Sequence, residues 1–402
     1  MNTSFSPPAS RTEETGISGK WAIMALAISA FGIGTTEFVP VGLLASIAGD
    51  LSIGITSAGL LISGYAIGVA LGAPVLTALT NRMSRKSLLV WLMILFIAGN
   101  AVAALSTSFP VLLAARFVTA FSHGVFFSIG STIAVQLVAP EKKASAIAFM
   151  FTGLTVATVT GVPLGTFIGQ TFGWRATFGG VALLGVVAIA AIALLIPRHL
   201  KPPMPVRFAD MLRLVTNGRL LIGFAITALG YGGTFVAFTY LTPILQDVVQ
   251  LSPSAVGIVL LGYGIAVAVG NEVGGRWANR NPVRALLSMF VIHAVVLVAM
   301  SFMIPFRVAG LAAVFLMGLF AFMNVPGLQL YVMQLAEKYV PSAVDVASAI
   351  NIAAFNVGIA IGALAGGIVV DRIGLVHTPW IGGLMVAAAV LLTAVSAKLE
   401  RN

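Results

Sequence analysis

Long apolar stretches recur along the chain and constrain its fold more than any other feature of the sequence. Mostly apolar runs of about 20 residues, the length that a helix needs to cross a bilayer, follow one another from Trp21 almost to the C-terminus. The chain is 59% hydrophobic and only 8% charged, which is far outside the range of soluble domains. A backbone in lipid must satisfy its own hydrogen bonds, and runs this long predict helices rather than the short alternating strands of a barrel. We therefore expect an all-α membrane protein.

The breaks between the apolar runs predict twelve transmembrane helices. The predicted spans are 21–46, 57–79, 88–106, 109–138, 144–169, 176–196, 219–245, 255–275, 285–305, 309–333, 346–370 and 378–397. Residues 1–20 are polar and contain Glu13 and Glu14, unlike a secretory signal peptide. We expect this segment to be a disordered cytoplasmic tail.

The distribution of Lys and Arg predicts the orientation. When the connections between spans are assigned alternately to two sides, 18 of the 22 basic residues fall on one side and three on the other, and Arg116 lies inside a span. Basic loops stay in the cytoplasm, so both termini and the central linker are predicted to be cytoplasmic in a bacterial inner membrane. The formal charge of +10 is then a topology signal with some affinity for anionic lipid, and nucleic-acid binding is not expected.

Two halves of the chain resemble each other. Gly64, Tyr65 and Gly72 recur as Gly262, Tyr263 and Gly270, all at an offset of 198 residues. The polar stretch 197–218 separates the repeats, so we expect two pseudo-symmetric six-helix bundles, 21–196 and 219–398, joined by a cytoplasmic linker. Such repeats place a substrate site near the midplane between the halves, with access alternating from one side to the other. Small residues recur every four positions in both repeats, as Gly64, Gly68 and Gly72 and as Gly262, Ala266 and Gly270, which indicates either tight helix packing or an interface that slides.

Several motifs resemble the major facilitator superfamily over essentially all of residues 20–398. The stretches GIGTTEFVPVGLLASIAGDL (32–51), HGVFF (123–127), GVPLG (161–165) and GQTFGWRATF (169–178) are similar to the bacterial proton-coupled efflux group that holds AraJ-like sugar exporters and chloramphenicol exporters. The resemblance implies the major facilitator fold and a secondary active transporter.

Two superfamily motifs are matched with departures. The loop after the second helix is similar in its basic residues Arg82, Arg85 and Lys86, but has Asn81 where the family has Asp. The antiporter motif of the fifth helix is similar in Gly161, Pro163 and Gly165. Where the family has a Gly-Pro pair, this chain has Val162-Pro163. The resemblance implies a gating role for the first motif and export for the second. Pro163 is expected to bend its helix, and the glycines to let it pack against the other half.

Three ionisable side chains within the first half form the candidate proton-coupling site. Glu37, Arg116 and His123 interrupt apolar spans, where each charge costs about 3 kcal/mol or more. Counting along the helices puts Glu37 and Arg116 at a similar depth, and His123 two turns after Arg116 on the same face. Either Glu37 carries the coupling proton under the influence of Arg116, as the resemblance also implies, or the two form a static ion pair. His123 either takes a proton or is a hydrogen-bonded packing residue.

Residues of the seventh and tenth helices are candidates for the substrate cavity, because the superfamily lines its cavity with these helices. They are aromatic or carry amides, which suits an amphipathic organic molecule: Tyr231, Phe235, Phe238, Tyr240, Asn324 and Gln329. A plain packing or lipid-facing role is the alternative for each. Glu272 and Arg276, four apart in the eighth helix, form either an ordinary helical ion pair or part of a gate.

Other classes of function are disfavoured by the sequence. It has no Walker loop, no Cys and only four His, none in a metal-binding pair, so neither ATP-driven transport nor an enzyme, cofactor or metal site is expected. The remaining prediction is a proton antiporter that acts as a monomer in the membrane lipid and exports a small neutral or amphipathic drug or sugar. Proton-linked uptake or facilitated diffusion of a small solute is the alternative within transport, and a non-transporting sensor is the alternative in another class.

Overall fold

The computed structural model describes residues 13–198, 200 and 206–401, and this part of the chain is almost entirely helical. Twelve of its helices are long and apolar enough to cross a membrane, which confirms the predicted number of spans. No strand occurs among the described residues. The apolar runs therefore form helices, as the backbone hydrogen-bond argument requires.

The twelve spanning helices are numbered α1 to α12 in chain order. The first half contains α1 (Glu13–Asp50), α2 (Ile55–Leu79), α3 (Arg85–Leu105), α4 (Phe109–Gln136), α5 (Lys143–Val156, the π-helical turn Ala157–Gly161, and Val162–Phe172) and α6 (Trp174–Leu195). The second half contains α7 (Gly218–Phe238), α8 (Pro253–Ala278), α9 (Pro282–Met303), α10 (Arg307–Ala321 and Val325–Tyr339), α11 (Val344–Ile373) and α12 (Thr378–Leu399).

The two halves meet through equivalent pairs of helices. Helix α2 packs on α11, and α8 packs on α5. Because α8 is the repeat of α2 and α11 is the repeat of α5, the two helix pairs at the interface are related by the pseudo-symmetry of the halves. We call the end of the bundle that carries residues 79–85, 136–143 and the linker the linker end, and the end that carries residues 50–55, 105–109 and 172–174 the far end.

The segments outside the predicted bundles are partly helical. Helix α1 begins at Glu13, inside the segment expected to be a disordered tail, while residues 1–12 lie outside the described part of the chain. The linker contains the helix Phe208–Thr216, and linker residues 199 and 201–205 lie outside the described part. A hydrogen bond from Ser342 holds the pKa of the Asp210 carboxyl below its usual range, and this bond ties the linker helix to the loop before α11.

The repeated glycines pack helices together within each half. A methyl group added to Gly72 would overlap the ring of Phe121 in α4, and one added to Gly270 would overlap the carbonyl of Leu319 in α10. Helices α4 and α10 occupy equivalent places in the two halves, so the repeat preserves the same close approach. These glycines therefore serve tight packing inside a half rather than an interface between halves.

The glycines of α5 also face their own half, which corrects the expectation that they pack against the other one. Gly161 lies against Thr35, and Gly165 lies against Val39, both in α1. Pro163 has no N–H to donate, and the turn before it is π-helical, with the N–H of Val162 reaching the carbonyl of Ala157. The irregular turn thus adjoins the proline that was expected to bend the helix, and the glycines on either side of that proline seat α5 on α1.

Helix α10 is interrupted, although the sequence predicted one continuous span. Its two parts are separated by Phe322–Asn324, and Pro326 is the second residue of the second part. Proline has no N–H, so the carbonyl of Phe322 cannot receive the usual helical bond and accepts a bond from the N–H of Val325 instead, at 3.1 Å. The interruption lies about midway along the span and next to the cavity described below.

Two of the stretches that carry the family resemblance meet at the far end. Asp50, at the end of α1, accepts hydrogen bonds from the guanidinium of Arg175 at 2.6 Å and from the indole of Trp174 at 3.1 Å. These bonds, from Arg175 first and then from Trp174, hold the pKa of the Asp50 carboxyl below its usual range. Arg175 also donates to the carbonyl of Ser106, so it joins the ends of α1, α3 and α6.

Helix α8 offers a matched test of this packing. Gly270→Ala should lower the free energy of unfolding by roughly 1–3 kcal/mol or more, because its methyl group would overlap the backbone of α10. Gly257→Ala in the same helix should be neutral or slightly stabilising, since nothing lies within 4 Å of the added methyl. Thermal unfolding of the detergent-solubilised variants, followed by tryptophan fluorescence, checks the prediction. Equal melting temperatures for the two variants would contradict it.

Candidate functional site

A small cavity lies between the two halves, about midway along the helices. Its volume is about 50 Å³. Six helices contribute its walls, with side chains from Glu37, Phe38, His123, Phe127, Phe151, Leu154, Tyr231, Phe322, Val325, Ile352, Phe355, Asn356 and Ile359. Phe322 and Val325 in this wall lie at the interruption of α10, so the cavity adjoins a point where the regular helical geometry is broken.

Contacts between the halves close the linker end. Arg85 forms an ion pair with Asp345 of α11 at 3.1 Å and donates to the hydroxyl of Thr132 at 2.7 Å. The hydroxyl of Ser128 donates to the carbonyl of Asp345, and that of Ser348 donates to the carbonyl of Ser128. Arg85 and Asp345 are both buried. The basic loop motif thus reaches across the interface and holds the two halves together.

A second set of contacts joins α5 and α8 toward the same end. Asn279 exchanges hydrogen bonds with Ser145, accepting from its N–H at 3.1 Å and donating to its hydroxyl at 2.7 Å. The amide of Asn271 donates to the carbonyl of Ala148 at 2.7 Å. These polar contacts cross between the halves, whereas Asp50 and Arg175 at the far end bond within one half.

Glu37 extends from α1 to the wall of the cavity. Its side chain is only 15% exposed, and its Oε2 atom is buried without a hydrogen-bond partner. The imidazole of His123 lies next to the carboxylate, with its Nδ1 atom 3.7 Å from Oε2, beyond hydrogen-bond distance. Because a buried, unpartnered carboxylate oxygen is costly in an apolar interior, Glu37 is a strong candidate for a group that binds a proton or a ligand.

Arg116 touches Glu37, but through the backbone rather than through the carboxylate. Its guanidinium donates to the carbonyl of Thr36 at 2.6 Å and to that of Glu37 at 3.3 Å, and its Nε donates to the carbonyl of Leu61. The carbonyl of Thr36 has no helical donor because Pro40, four residues later, lacks an N–H. The side-chain ion pair considered from the sequence is therefore not formed, and the guanidinium uses a carbonyl that the proline leaves free.

His123 belongs to the same group of residues, together with Tyr65, to which the sequence analysis gave no functional role. The hydroxyl of Tyr65 lies 3.1 Å from Nδ1 of His123, and the Tyr65 ring lies under the guanidinium of Arg116, 4.1 Å from ring centroid to Cζ. Tyr65 was visible only as part of the repeat with Tyr263. Tyr65 could have been identified from the sequence as a polar aromatic residue in an apolar span, at the same depth in the membrane as the ionisable residues.

The predicted cavity residues are mostly placed elsewhere. Tyr231 lines the cavity. Phe235 packs against the ring of Tyr231 and is not part of the cavity wall. Phe238 stacks on Tyr263, and Tyr240 donates to the carbonyl of Ala363, so these two serve packing within the second half.

The two amide residues of α10 are buried but do not line the cavity. Asn324 lies in the interruption, where its Oδ1 atom has no partner. Gln329 donates to Ser348 and accepts from the amide of Asn351, within a network that binds α10 to α11. The sequence could not distinguish these orientations, because the interruption of α10 changes which residues face inward.

The remaining predicted gating residues have separate roles. Arg82 is exposed, while Lys86 donates to the carbonyls of Ala193 and Ile196 and so caps the end of α6. Glu272 and Arg276 form an exposed helical pair at 3.1 Å, which favours the ordinary ion pair over a gate. Of this set, Arg85 alone forms an ion pair that crosses between the halves among the described residues.

The aromatic lining is what sequence reasoning missed. Phe127, Phe151, Phe322 and Phe355 surround Tyr231 and Glu37 in the cavity wall. Phenylalanine occurs 25 times in the chain, in nearly every apolar run, so its type alone carries no signal. Only the packing of six helices shows which rings face inward.

Comparisons with known proteins agree with this fold. The chain is 59% identical over 381 residues to an MFS-type transporter, YtbD, of Bacillus subtilis (strain 168), with 95% of this chain and 96% of that protein covered. It is 34% identical over 378 residues to a probable sugar efflux transporter of Helicobacter pylori (strain G27), with 91% and 93% covered.

Solved structures show the same architecture. The fucose transporter FucP in the outward conformation matches with a TM-score of 0.75 at 15% identity, covering 94% of this chain and 99% of that one, which supports the fold alone. The sequence profile described as Major Facilitator Superfamily matches residues 26–344. The chain therefore belongs to the major facilitator superfamily of membrane transporters.

Proposed function

We propose that this protein is a proton antiporter that exports a small organic solute, with Glu37 as the group that carries the coupling proton. The observation that carries the proposal is the Glu37 carboxylate, which reaches the wall of the cavity between the halves with a buried and unpartnered oxygen. A group that must alternately bind a proton and a substrate has to stand at the substrate cavity without a permanent partner. An ion-paired carboxylate, such as Asp345, would not meet that requirement.

The surroundings of Glu37 suit a titration that depends on conformation. Burial favours the neutral carboxyl, while the nearby guanidinium of Arg116 favours the carboxylate. Arg116 of α4 holds the backbone of α1 through the carbonyls of Thr36 and Glu37, and the Tyr65 ring of α2 lies under the Arg116 guanidinium. A movement of α1 relative to α4 during transport would therefore change the field at Glu37, and with it the affinity for the proton.

Alternating access in this proposal uses the contacts at the linker end as a gate. Those contacts are formed here, so the cavity is closed toward that end. Opening toward the linker requires the Arg85–Asp345 pair and the Asn279–Ser145 contacts to separate. The equivalence of the two helix pairs at the interface supports a rocking movement of one half against the other.

Direction and orientation are further parts of the proposal. The distribution of basic residues supports cytoplasmic termini and a cytoplasmic linker end in a bacterial inner membrane. Export is supported by the printed name of the Helicobacter relative and by the motif of α5. Proton-linked uptake through the same fold is the alternative. We propose that the protein acts as a monomer, because the repeated glycines are buried against helices of the same chain.

Inverted membrane vesicles energised by respiration test this function. Addition of a transported solute, with chloramphenicol and a pentose as candidates, should dissipate the acidic interior when the protein is present and not in vesicles without it. The pH gradient is followed with a fluorescent dye. Accumulation of solute without movement of protons would contradict antiport and favour the uptake or uniport alternatives.

A further inference from the structure

We propose that the central cavity selects a monovalent organic cation with an aromatic or alkyl body, whose positive charge takes the place of the coupling proton beside Glu37. This inference rests on the proposed function, since it names the substrate class of the same site. It replaces the small neutral or amphipathic solute expected from the sequence with one charged class, because the residues that line the cavity are known only from the structure.

The first argument is the lining of the cavity. Six of its thirteen lining residues are Phe or Tyr, and four more are aliphatic. The rings of Tyr231 and Phe355 meet edge to face, with 4.9 Å between centroids, and Phe322 packs on Tyr231 in the same way at 5.4 Å. The faces of aromatic rings attract cations, and they do so more strongly where water is excluded. The rings therefore offer an aromatic surface for an apolar body and its charge, and the volume of about 50 Å³ requires the cavity to widen before such a body enters.

The second argument is the charge of the lining. Glu37 is the only acidic residue in the cavity wall, and the wall contains no Lys or Arg. Arg116 is close to Glu37 but stays behind it, held by backbone carbonyls and by the Tyr65 ring. A ligand in the cavity thus meets a carboxylate before it meets any permanent cation. An anion would meet that carboxylate with no compensating group.

The third argument is the shortage of groups for a sugar. A polyol needs several donors and acceptors aimed at its hydroxyls. The polar side chains of the wall besides Glu37 are His123, Tyr231 and Asn356. Nδ1 of His123 already faces the Tyr65 hydroxyl, and the amide nitrogen of Asn356 already donates to the carbonyl of Ile352 at 2.9 Å. The cavity is better matched to one charge on an apolar body than to many hydroxyls.

The charges near the site also define the stoichiometry. Arg116 contributes one positive charge and an ionised Glu37 one negative charge, while Tyr65 and Tyr231 are neutral and the Tyr65 contact fits a neutral His123 that accepts at Nδ1. A proton on Glu37 or a monovalent cation beside it leaves the same net charge. One proton is then exchanged for one cation, and transport responds to the pH gradient but not to the membrane potential.

Binding of radiolabelled tetraphenylphosphonium to the purified full-length protein tests the inference directly. Tetraphenylborate, which has the same shape and the opposite charge, is the matched comparison ligand. We expect the phosphonium to bind and the borate not to bind. Affinity should fall by up to about tenfold per pH unit on acidification, because one proton competes for the same carboxylate.

Variants separate this site from nonspecific hydrophobic binding. Glu37→Gln should abolish phosphonium binding, whereas Glu141→Gln, an exposed carboxyl at the linker end, should leave it unchanged. Tyr231→Leu should weaken binding roughly 2- to 30-fold through loss of the ring, and Tyr231→Phe should restore most of it. Intact folding of each variant is checked by size-exclusion chromatography and tryptophan fluorescence.

The outcomes distinguish this inference from the antiport proposal. Equal binding of borate and phosphonium, or phosphonium binding that ignores pH and Glu37→Gln, overturns the inference. If pentose or chloramphenicol moves protons while the phosphonium neither binds nor competes, the substrate class is wrong and proton antiport stands. If the phosphonium displaces a proton from Glu37 but drives no proton movement in vesicles, the binding site is right and the antiport proposal fails.

Discussion

Glu37→Gln should reduce pH-driven transport to the level of liposomes that contain no protein. Glutamine keeps the size of the side chain but cannot bind and release a proton, so the step that couples flux to the pH gradient is lost. The experiment uses purified protein in liposomes with an imposed pH gradient, and flux is followed by an internal pH dye. Because Glu37 is mostly buried beside an apolar wall, the neutral amide should not unfold the protein.

Glu141→Gln is the matched control for this substitution. It makes the same chemical change at an exposed residue of a short turn between α4 and α5, and transport should be unaffected. A coupled flux that survives in Glu37→Gln would show that another group carries the proton. His123 would then be the next candidate, because its ring contacts the same carboxylate and also Tyr65.

Asp345→Asn should shift the protein away from the conformation that is closed at the linker end. The substitution removes the carboxylate that faces the buried Arg85, and breaking a buried ion pair costs roughly 3–5 kcal/mol. A cost of that size in one of two conformations changes their ratio by a factor on the order of 100 or more. The effect should therefore be visible as a change of access rather than as a loss of the protein.

Accessibility of a single cysteine measures this shift. The native chain contains no Cys, so Ile352→Cys in the cavity wall provides a unique reporter without further changes. A membrane-impermeant maleimide applied from the linker side should label it faster in the Asp345→Asn background. Asp371→Asn, at the exposed far end of the same helix, should leave the labelling rate unchanged. Equal rates in both backgrounds would show that the ion pair does not hold the gate.

The architecture of this protein was predictable because lipid restricts the backbone. Apolar runs of sufficient length must become helices, and the offset of 198 residues between equivalent glycines indicated two similar halves. The packing partners of the glycines were not predictable from the sequence. Gly161 and Gly165 face α1 rather than the other half, because which side of a helix meets which neighbour depends on how all the helices are arranged.

The ionisable residues of the site were also predictable, since a charged side chain in an apolar span is costly and stands out. Their arrangement was not. Arg116 bonds to backbone carbonyls because Pro40 leaves the Thr36 carbonyl free, and the Glu37 carboxylate faces His123 instead. These contacts depend on the positions of three different helices, which spacing along one helix does not define.

By itself the sequence determined the helical membrane fold, the number of spans, the repeat and the identity of the polar residues inside the spans. The repeat follows from the 198-residue offset, and the others follow from local chemistry: the cost of unpaired backbone groups and of buried charges in lipid. Only the tertiary structure decided that Arg85 pairs with Asp345 and that aromatic rings surround Glu37. Both features join residues far apart in the chain, and no local preference selects one apolar ring over another until the helices pack.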